Sequence, residues 1–448
     1  TSPIMVDIDG APRPSNQGFD IGADEIGDCY VRINGLEPTY GSVQRAIDDA
    51  LSGDTLFVAG TCKGAPPVNE GGAMLYQTAF FSKTLSVRGG YTPDNWEEPK
   101  PSVYTTTLDA LSLGRTVYVT NSAVVSMTRL LLQNGAAVHG GAIYVGHGVF
   151  TLTQSTVATS TAELGGGLYN AGAQLYVVGE TRIHSNAADD GGAVYAAGGS
   201  TYLGDESVYV TNSATRGAGI FHAGGDLLLD GALIHDNTAT GEGGGVYHQS
   251  GAATLQNTML YRNTAVQGGG LYAETGSALT VDFNTFYANT ADEGGGFYTV
   301  DAAPVVRNTI FATNTATTGD AIYSAQSGYT TDGYNDIYPW SDAYAHATDI
   351  GVEPGFVDAV SGDLRLRDDS PLLDRADPDA ALLHDLEGHL RPADQGFDIG
   401  ADERYGCWAR VVRGSDADQE IYGPYGNPQR AIAQSIEGDV IEVTVGDC

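Results

Sequence analysis

Basic residues are scarce in this chain. Lys and Arg number 21 among 448 residues, against 56 Asp and Glu, a formal net charge of −35. That balance argues against nucleic acid or an anionic membrane as a partner. Long apolar runs are missing too, and nothing approaches the ~20 residues of a membrane span. No signal peptide is legible and residue 1 is Thr, so the sequence reads as a mature or internal fragment. Sustained 3.6-residue periodicity is absent from the middle of the chain, which excludes a helical repeat there. Only 17% of residues are charged, yet 42% are apolar and regularly spaced, which excludes a disordered tail. Cysteine is rare, at four residues.

Glycine is abundant, at 61 residues. Much of it lies in one recurring phrase: a glycine pair, a small residue, an aliphatic, then an aromatic. The aromatics are Tyr144, Tyr169, Tyr195, Phe221, Tyr247, Tyr272, Tyr298 and Tyr323, spaced 25 or 26 residues apart. Nine or ten residues before each stands a second recurring position: Asn134, Thr159, Asn186, Asn212, Asn237, Asn263, Asn289 and Asn314. A large apolar residue commonly lies three before it, as at Ile183, Ile234, Leu260, Phe286 and Phe311. A period of ~25 residues fits one coil of a parallel β-helix or a leucine-rich repeat, and the leucine-rich pattern is absent. Short β-prone runs such as Leu279–Phe283, punctuated by turn residues, agree with the first. Coils stacked at ~4.8 Å would place like residues above one another. The Asn column would then form an amide ladder, and alternation along the strand turns the aromatic column outward.

This stretch resembles the repeats of the chlamydial polymorphic outer-membrane proteins. Leu131–Asn134, Phe286–Asn289 and Phe311–Asn314, each followed by its glycine run, carry the likeness. More broadly the chain is similar to secreted bacterial right-handed parallel β-helix proteins. The resemblance implies an all-β, right-handed parallel β-helix solenoid with short amphipathic capping helices. Val43, Ile47 and Leu51, behind Ser42 as N-cap and ahead of Gly53, resemble the helix that covers the first coil of pectate-lyase-like β-helices. Thr84–Tyr91 and Thr107–Val119 read as first coils, with 63–83 and 92–104 as loops, and Asp363–Leu366 as a last strand.

The chain also copies its own ends. Gly-Phe-Asp-Ile-Gly-Ala-Asp-Glu occupies 18–25 and recurs at 396–403. Asp7, Gly10, Arg13 and Pro14 correspond to Asp385, Gly388, Arg391 and Pro392, and 40–47 returns as 425–432. Cys29 and Cys62 answer to Cys407 and Cys448, so the expected disulfides are Cys29–Cys62 and Cys407–Cys448, in an oxidising compartment. Their spacings of 33 and 41 residues do not resemble a zinc motif. The expected organisation is a tail of a preceding module (1–25), a capping helix and first strand (26–62), coils (63–350), a terminal coil and segment (351–403), and the start of a next module (404–448), with a second capping helix near 427–437.

Chemistry is thinly signalled. A polysaccharide lyase needs clustered acids for Ca²⁺ beside an Arg or Lys base, and a hydrolase needs two or three carboxylates facing a cleft. Asp189, Asp190, Glu242, Asp292 and Glu293 lie before the glycine runs, spread over several coils, with no stacked basic partner expected. His222 and His248 fall in adjacent coils and read as solvated turn residues rather than a metal pair. Asp7, Asp9, Asp385 and Glu387, with Asp20 and Asp398, are candidates for Ca²⁺ at the module joints, or ordinary turn acids. The expectation is an extracellular structural protein whose partner is itself, head to tail, in a filament or tandem array. An adhesin using the Tyr column for glycans, or a polysaccharide lyase or hydrolase, are the alternatives.

Overall fold

The computed structural model describes residues 29–274, 278–300, 304–325, 329–340, 343–393, 395–404, 409–413, 420–425 and 440–443. It opens with an antiparallel hairpin, β1 (Cys29–Ile33) and β2 (Leu36–Tyr40), followed by α1 (Val43–Asp49) and β3 (Thr55–Lys63). β1 pairs with both β2 and β3, and the Cys29–Cys62 disulfide ties its start to the end of β3. Val43, Ala46 and Ile47 bury one face of α1 against the first coil. Leu51 does not join them. The chain turns extended at Ala50, leaving Leu51 75% exposed, and Ser42 makes no side-chain cap bond.

From β3 onward the chain winds through three parallel faces. Sheet I holds strands such as Val149–Thr153, sheet II those such as Thr156–Ala158, and sheet III those such as Ile143–Val145. Each strand pairs with its equivalent one coil on, as Phe150 does with Leu175 and Tyr144 with Tyr169. Alternate residues fill the axis: Ile143, Val145, Phe150, Leu152 and Val157 are all fully buried in one continuous core. Residues 63–83, expected as a loop, instead supply the hairpin β4 (Pro67–Glu70) and β5 (Ala73–Phe81), and β5 is the first parallel strand of sheet III. Its alternation lies outside the glycine phrase, so no repeat marks it.

The glycine pair has a physical reason. Gly165 sits at φ 67°, a left-handed turn that favours glycine. At Gly166 a Cβ would stand 2.5 Å from the Ala187 carbonyl oxygen of the next coil. Asp320 occupies that second position in the last coil, where Ile322–Ser324 is the edge of sheet III.

The Asn ladder closes the corner between sheets II and III. The backbone N–H and Nδ2 of Asn212 donate to Asn237 Oδ1 at 3.0 and 3.1 Å. Asn237 Nδ2 in turn donates to Tyr209 O at 2.9 Å and Asn263 Oδ1 at 3.0 Å. Asn186, Asn263, Asn289 and Asn314 continue the column, buried throughout. Asn134 is not a rung. It and Thr159 occupy the left-handed position one residue earlier, at φ 54° and 52°, shared with Ser185 and Thr211. The rungs of those two coils are Gly135 and Ser160, whose hydroxyl accepts from the Gly135 N–H at 3.0 Å. Asn134 lies on the rim, where Nδ2 donates to Asp109 Oδ1 at 3.0 Å. Asparagine tolerates the left-handed region, so its presence there mimics a ladder residue in sequence. A second ladder, unread in the sequence, closes the corner between sheets I and II: Thr258 N–H donates to Asn284 Oδ1 and Thr309 N–H to Asn335 Oδ1, both at 3.0 Å.

The terminal segment, 351–404, is not a coil. Phe356–Asp358 and Asp363–Leu366 pair antiparallel, and the segment lies back along the outer face of sheet II. It covers Met259, Tyr261, Phe283 and Ile310 with Leu364, Leu372, Leu386, Phe397 and Ile399.

Truncating a rung and truncating the rim should therefore differ. Asn237→Ala strands two buried donors of Asn212 and should cost about 2–4 kcal/mol. Asn134→Ala should cost about 1 kcal/mol. Amide exchange at the corner between sheets II and III checks both, and equal effects would contradict a register that places Asn237 on a rung and Asn134 on the rim.

Candidate functional site

The aromatic column projects away from the core. Ile143 and Val145 are fully buried in the axis, whereas the rings between such pairs form their own outer cluster. Tyr144, Tyr169, Tyr195, Phe221, Tyr247, Tyr272, Tyr298 and Tyr323 stack in unbroken order, and Phe80 and Tyr118 extend the stack at its start. Phe80 and Tyr118 carry no sequence mark of the column because no glycine pair precedes them. Centroids are 4.6–5.5 Å apart and ring planes within 21°. Each face is thus taken by a neighbouring ring, and along the column only edges and hydroxyls meet solvent. Sugars stack on open aromatic faces, and within the column each face is covered by the next ring.

Asp190 does have a stacked basic partner. Arg216, one coil on, donates to both its oxygens at 2.8 and 2.7 Å and lies 5.0 Å from the Phe221 ring centroid. His222 and His248 are not solvated turn residues. They point into the axis from paired strands of sheet III, fully buried, with Nδ1 atoms 2.8 Å apart and both Nε2 atoms unpartnered. Burial pushes both imidazoles down to about 4. His184 and His235 are separated by the Val210 coil.

The densest polar chemistry lies where the terminal segment meets sheet II. Arg391 and Glu403, both fully buried, form an ion pair at 3.0 Å. Glu403 also accepts from the backbone N–H of Ala393 at 2.7 Å and Asp398 at 3.0 Å. Arg391 Nη2 donates to Gly400 O at 2.8 Å, and its guanidinium lies 4.5 Å from the Phe283 ring centroid. Asp398 accepts from the Asp374 and Arg404 N–H groups at 2.8 and 2.7 Å, and Asp402 from the Leu366 N–H at 2.7 Å. Ala401 N–H donates to Thr285 Oγ1 at 3.2 Å, and Gly400 N–H to Asn308 O at 2.9 Å. At Gly400 a Cβ would stand 2.5 Å from Ile310 Cδ1. The octapeptide 396–403 is thus a latch, and most of its residues have a specific partner.

Phe283 is its anchor. It is not the end of a strand, as the run Leu279–Phe283 suggested. It occupies the left-handed corner at φ 54°, a column held elsewhere by Gln154, Glu180, Asn257 and Asn308. A bulky residue there costs roughly 1–2 kcal/mol and persists only when its surroundings fix it. The Phe397 ring, 6.0 Å away, and the Arg391 guanidinium do so. Nothing in the chain-wide repeat signalled this. A phenylalanine in a column of corner-formers was the available clue.

Beside the latch, Asp385, Glu387 and His389 bring their ligand atoms within 4.8 Å of one another. Two carboxylates and an imidazole suit a borderline divalent ion better than Ca²⁺, which prefers oxygen ligands throughout. Asp7, Asp9 and Asp20, and the pair Cys407 and Cys448, lie outside the described residues. A cleft of about 410 Å³ runs from Asp385 and Glu387 along the corner between sheets I and II. Glu180, Asp205, Glu206 and Asp230 line it opposite 384–388, and no Lys or Arg does. Burial pushes the Asp398 and Asp402 carboxyls up to about 8, assisted by Glu403 and Glu387 respectively.

A family model described as right handed beta helix region matches residues 166–335. No curated protein matches the chain by sequence. Among solved structures, a crystal structure of pectate lyase Pel9A aligns at 12% identity and TM-score 0.47, covering 82% of this chain and 92% of that one. The fold is a right-handed parallel β-helix.

Two pH responses of opposite sign result. Asp398 and Asp402 titrate higher in the folded state than the ordinary carboxylate value of about 4. Their contribution is complete below pH ~4 and is lost as pH rises towards 8, so the latch should hold tighter at pH 5 than at pH 8.5. Amide exchange across 352–404 would show it, and Asp402→Asn should flatten the response. His222 and His248 titrate lower than free histidine, so their contribution is present above pH ~6.5 and lost as pH falls towards 4. Imidazole NMR signals from both should remain those of neutral rings at pH 5.5.

Proposed function

We propose that this chain is an extracellular structural protein built from end-capped β-helix modules repeated head to tail, and that residues 404–448 begin the module after this one. One observation carries the proposal. Ala409–Arg413, Glu420–Tyr425 and Val440–Val443 form a three-stranded antiparallel sheet with the pairing of β1, β2 and β3 respectively. Ala409 pairs with Tyr425 and Val443, as Val31 pairs with Tyr40 and Val58. Counting from Cys29 and Cys407, and from the copied runs 40–47 and 425–432, these are equivalent residues.

The two copies differ beyond their third strand. β3 runs on into sheets I and II, pairing in parallel with Leu85–Tyr91 and Thr107–Asp109. Among the described residues, Val440–Val443 pairs only with Ala409–Arg413. In the first copy the third strand leads directly into a coil. The first coil of this solenoid already carries its own cap, so a second cap fits a second solenoid. Continuity within one polypeptide is therefore favoured over a filament of separate chains, which would need caps to be exchanged. The disulfide and the acidic surface suit an extracellular setting. No described helix is long and apolar enough to cross a membrane.

Appending a second copy of residues 64–404 after Cys448 tests this. The product should show two solenoids in negative stain, and amides 440–443 should gain protection to the level of 55–58. Appended coils that stay protease-sensitive, or that fold while 440–443 exchange freely, would refute the proposal.

A further inference from the structure

The turn at 384–390 is built by its own backbone. Asp385 N–H donates to His389 O at 2.9 Å, Gly388 N–H to Asp385 O at 3.1 Å, and His389 N–H to Asp385 Oδ1 at 2.7 Å. Gly388 sits at φ 79°, a left-handed position that lets the chain reverse. His384 and Leu390 close the turn in an antiparallel bridge. Asp385, Glu387 and His389 alternate through it, and their ligand atoms converge within 4.8 Å of one another. The turn is also fixed to the latch. Leu386 N–H donates to Ala401 O at 3.0 Å, and Glu403 N–H to Asp385 Oδ2 at 3.3 Å.

The carboxylates gathered here lack a matching cation. Glu387 Oε2 is shielded from solvent and has no hydrogen-bond partner. The Asp385 side chain, within reach of it, is 0% exposed. Two clefts, each of about 410 Å³, are lined by Glu387. The first has no Lys or Arg in its lining. The second holds Asp402 with Arg365 and Arg404, and both arginines are engaged elsewhere. Arg365 donates to the two oxygens of Asp363 at 2.8 and 2.6 Å, and Arg404 pairs with Asp368. Arg391 is paired with Glu403. A shielded carboxylate oxygen without a donor is destabilising, and a cation held between the three ligand atoms relieves it.

We infer that Asp385, Glu387 and His389 bind a divalent first-row transition ion of the Zn²⁺ kind, which locks the turn at 384–390 and, through it, the latch. The inference goes beyond the modular function and does not depend on it. The donor set decides the class of ion. Ca²⁺ takes roughly six to eight oxygens, whereas an imidazole nitrogen beside two carboxylates suits Zn²⁺. Tetrahedral Zn²⁺, with bonds of about 2.0–2.1 Å, holds its donors about 3.4 Å apart. The three ligand atoms therefore stand at most roughly 1.4 Å beyond that spacing. Three protein donors leave the fourth position to water, which the adjoining clefts admit. The ion would join Asp385, already bonded to the Glu403 N–H, to Glu387 and His389, so its loss should loosen the fold-back and not the coils.

Zn²⁺ titrated into the full chain, stripped beforehand with a chelator, tests this. Calorimetry at pH 7 should show one site of micromolar or tighter Kd. On binding, amides 384–393 should gain protection while those of sheets I and III stay unchanged. His389→Ala and Glu387→Gln should each weaken the site at least tenfold. About a hundredfold excess of Ca²⁺ should fail to displace the Zn²⁺. The His389 side chain is 41% exposed, so its truncation leaves the coils folded. Glu387→Gln keeps the shape of the side chain and gives the second reading if His389→Ala alone opens the turn. Affinity unchanged in both variants would mean an adventitious ion only, drawn to the acidic surface, and would overturn the inference. So would the absence of binding, ready displacement by Ca²⁺, or binding that leaves 384–393 unprotected.

Discussion

Every part of this molecule depends on coils stacking in register. Parallel pairing along three faces makes each coil the template for the next, and no coil can bury its own apolar face alone. The Asn rungs make the register unforgiving. Each rung is both donor and acceptor to its neighbours, so a slip of one residue would strand amides in a closed corner. The glycine turns, the aromatic stack and the inward histidines all occupy positions that this register sets. The ends are the exceptions, and there the chain uses sequence outside the coil repeat: α1 at one end and the folded-back segment along the flank.

Repetition is also what made the fold legible. The 25–26-residue spacing, the glycine pair and the burial of Ile183, Leu260 and Phe286 result directly from stacking, so sequence alone carries them. The failures share a cause. Asn134 resembles a rung because asparagine serves both the ladder and the left-handed position before it. Strand β5 and residues Phe80 and Tyr118 lie before the repeat becomes regular. His222 and His248 come directly after the aromatic, and only the parity of the strand, not their composition, says that they face the axis.

The site was legible in outline and not in mechanism. The duplication of the octapeptide marked 396–403 as important, and Asp385 and Glu387 stood out for their acidity. Their roles depend on a fold-back that no local pattern announces. Phe283 most clearly shows this. In sequence it extends a β-prone run, while in the structure it is a strained corner held by two residues more than 100 positions away. Long-range contacts of that kind are set by the docking of a whole segment, so they cannot be read from spacing.

The fold-back has a mechanical consequence. The chain leaves the solenoid at Arg404, on the flank beside Asp368 and Leu366, and not from the last coil. Tension drawn through the polypeptide on that side enters the fold at the latch. It meets the Arg391–Glu403 pair and the bonds of Asp402 and Asp398 before it reaches the coils. The terminal coil, whose unzipping would otherwise be the easiest way to fail, lies off the line of force.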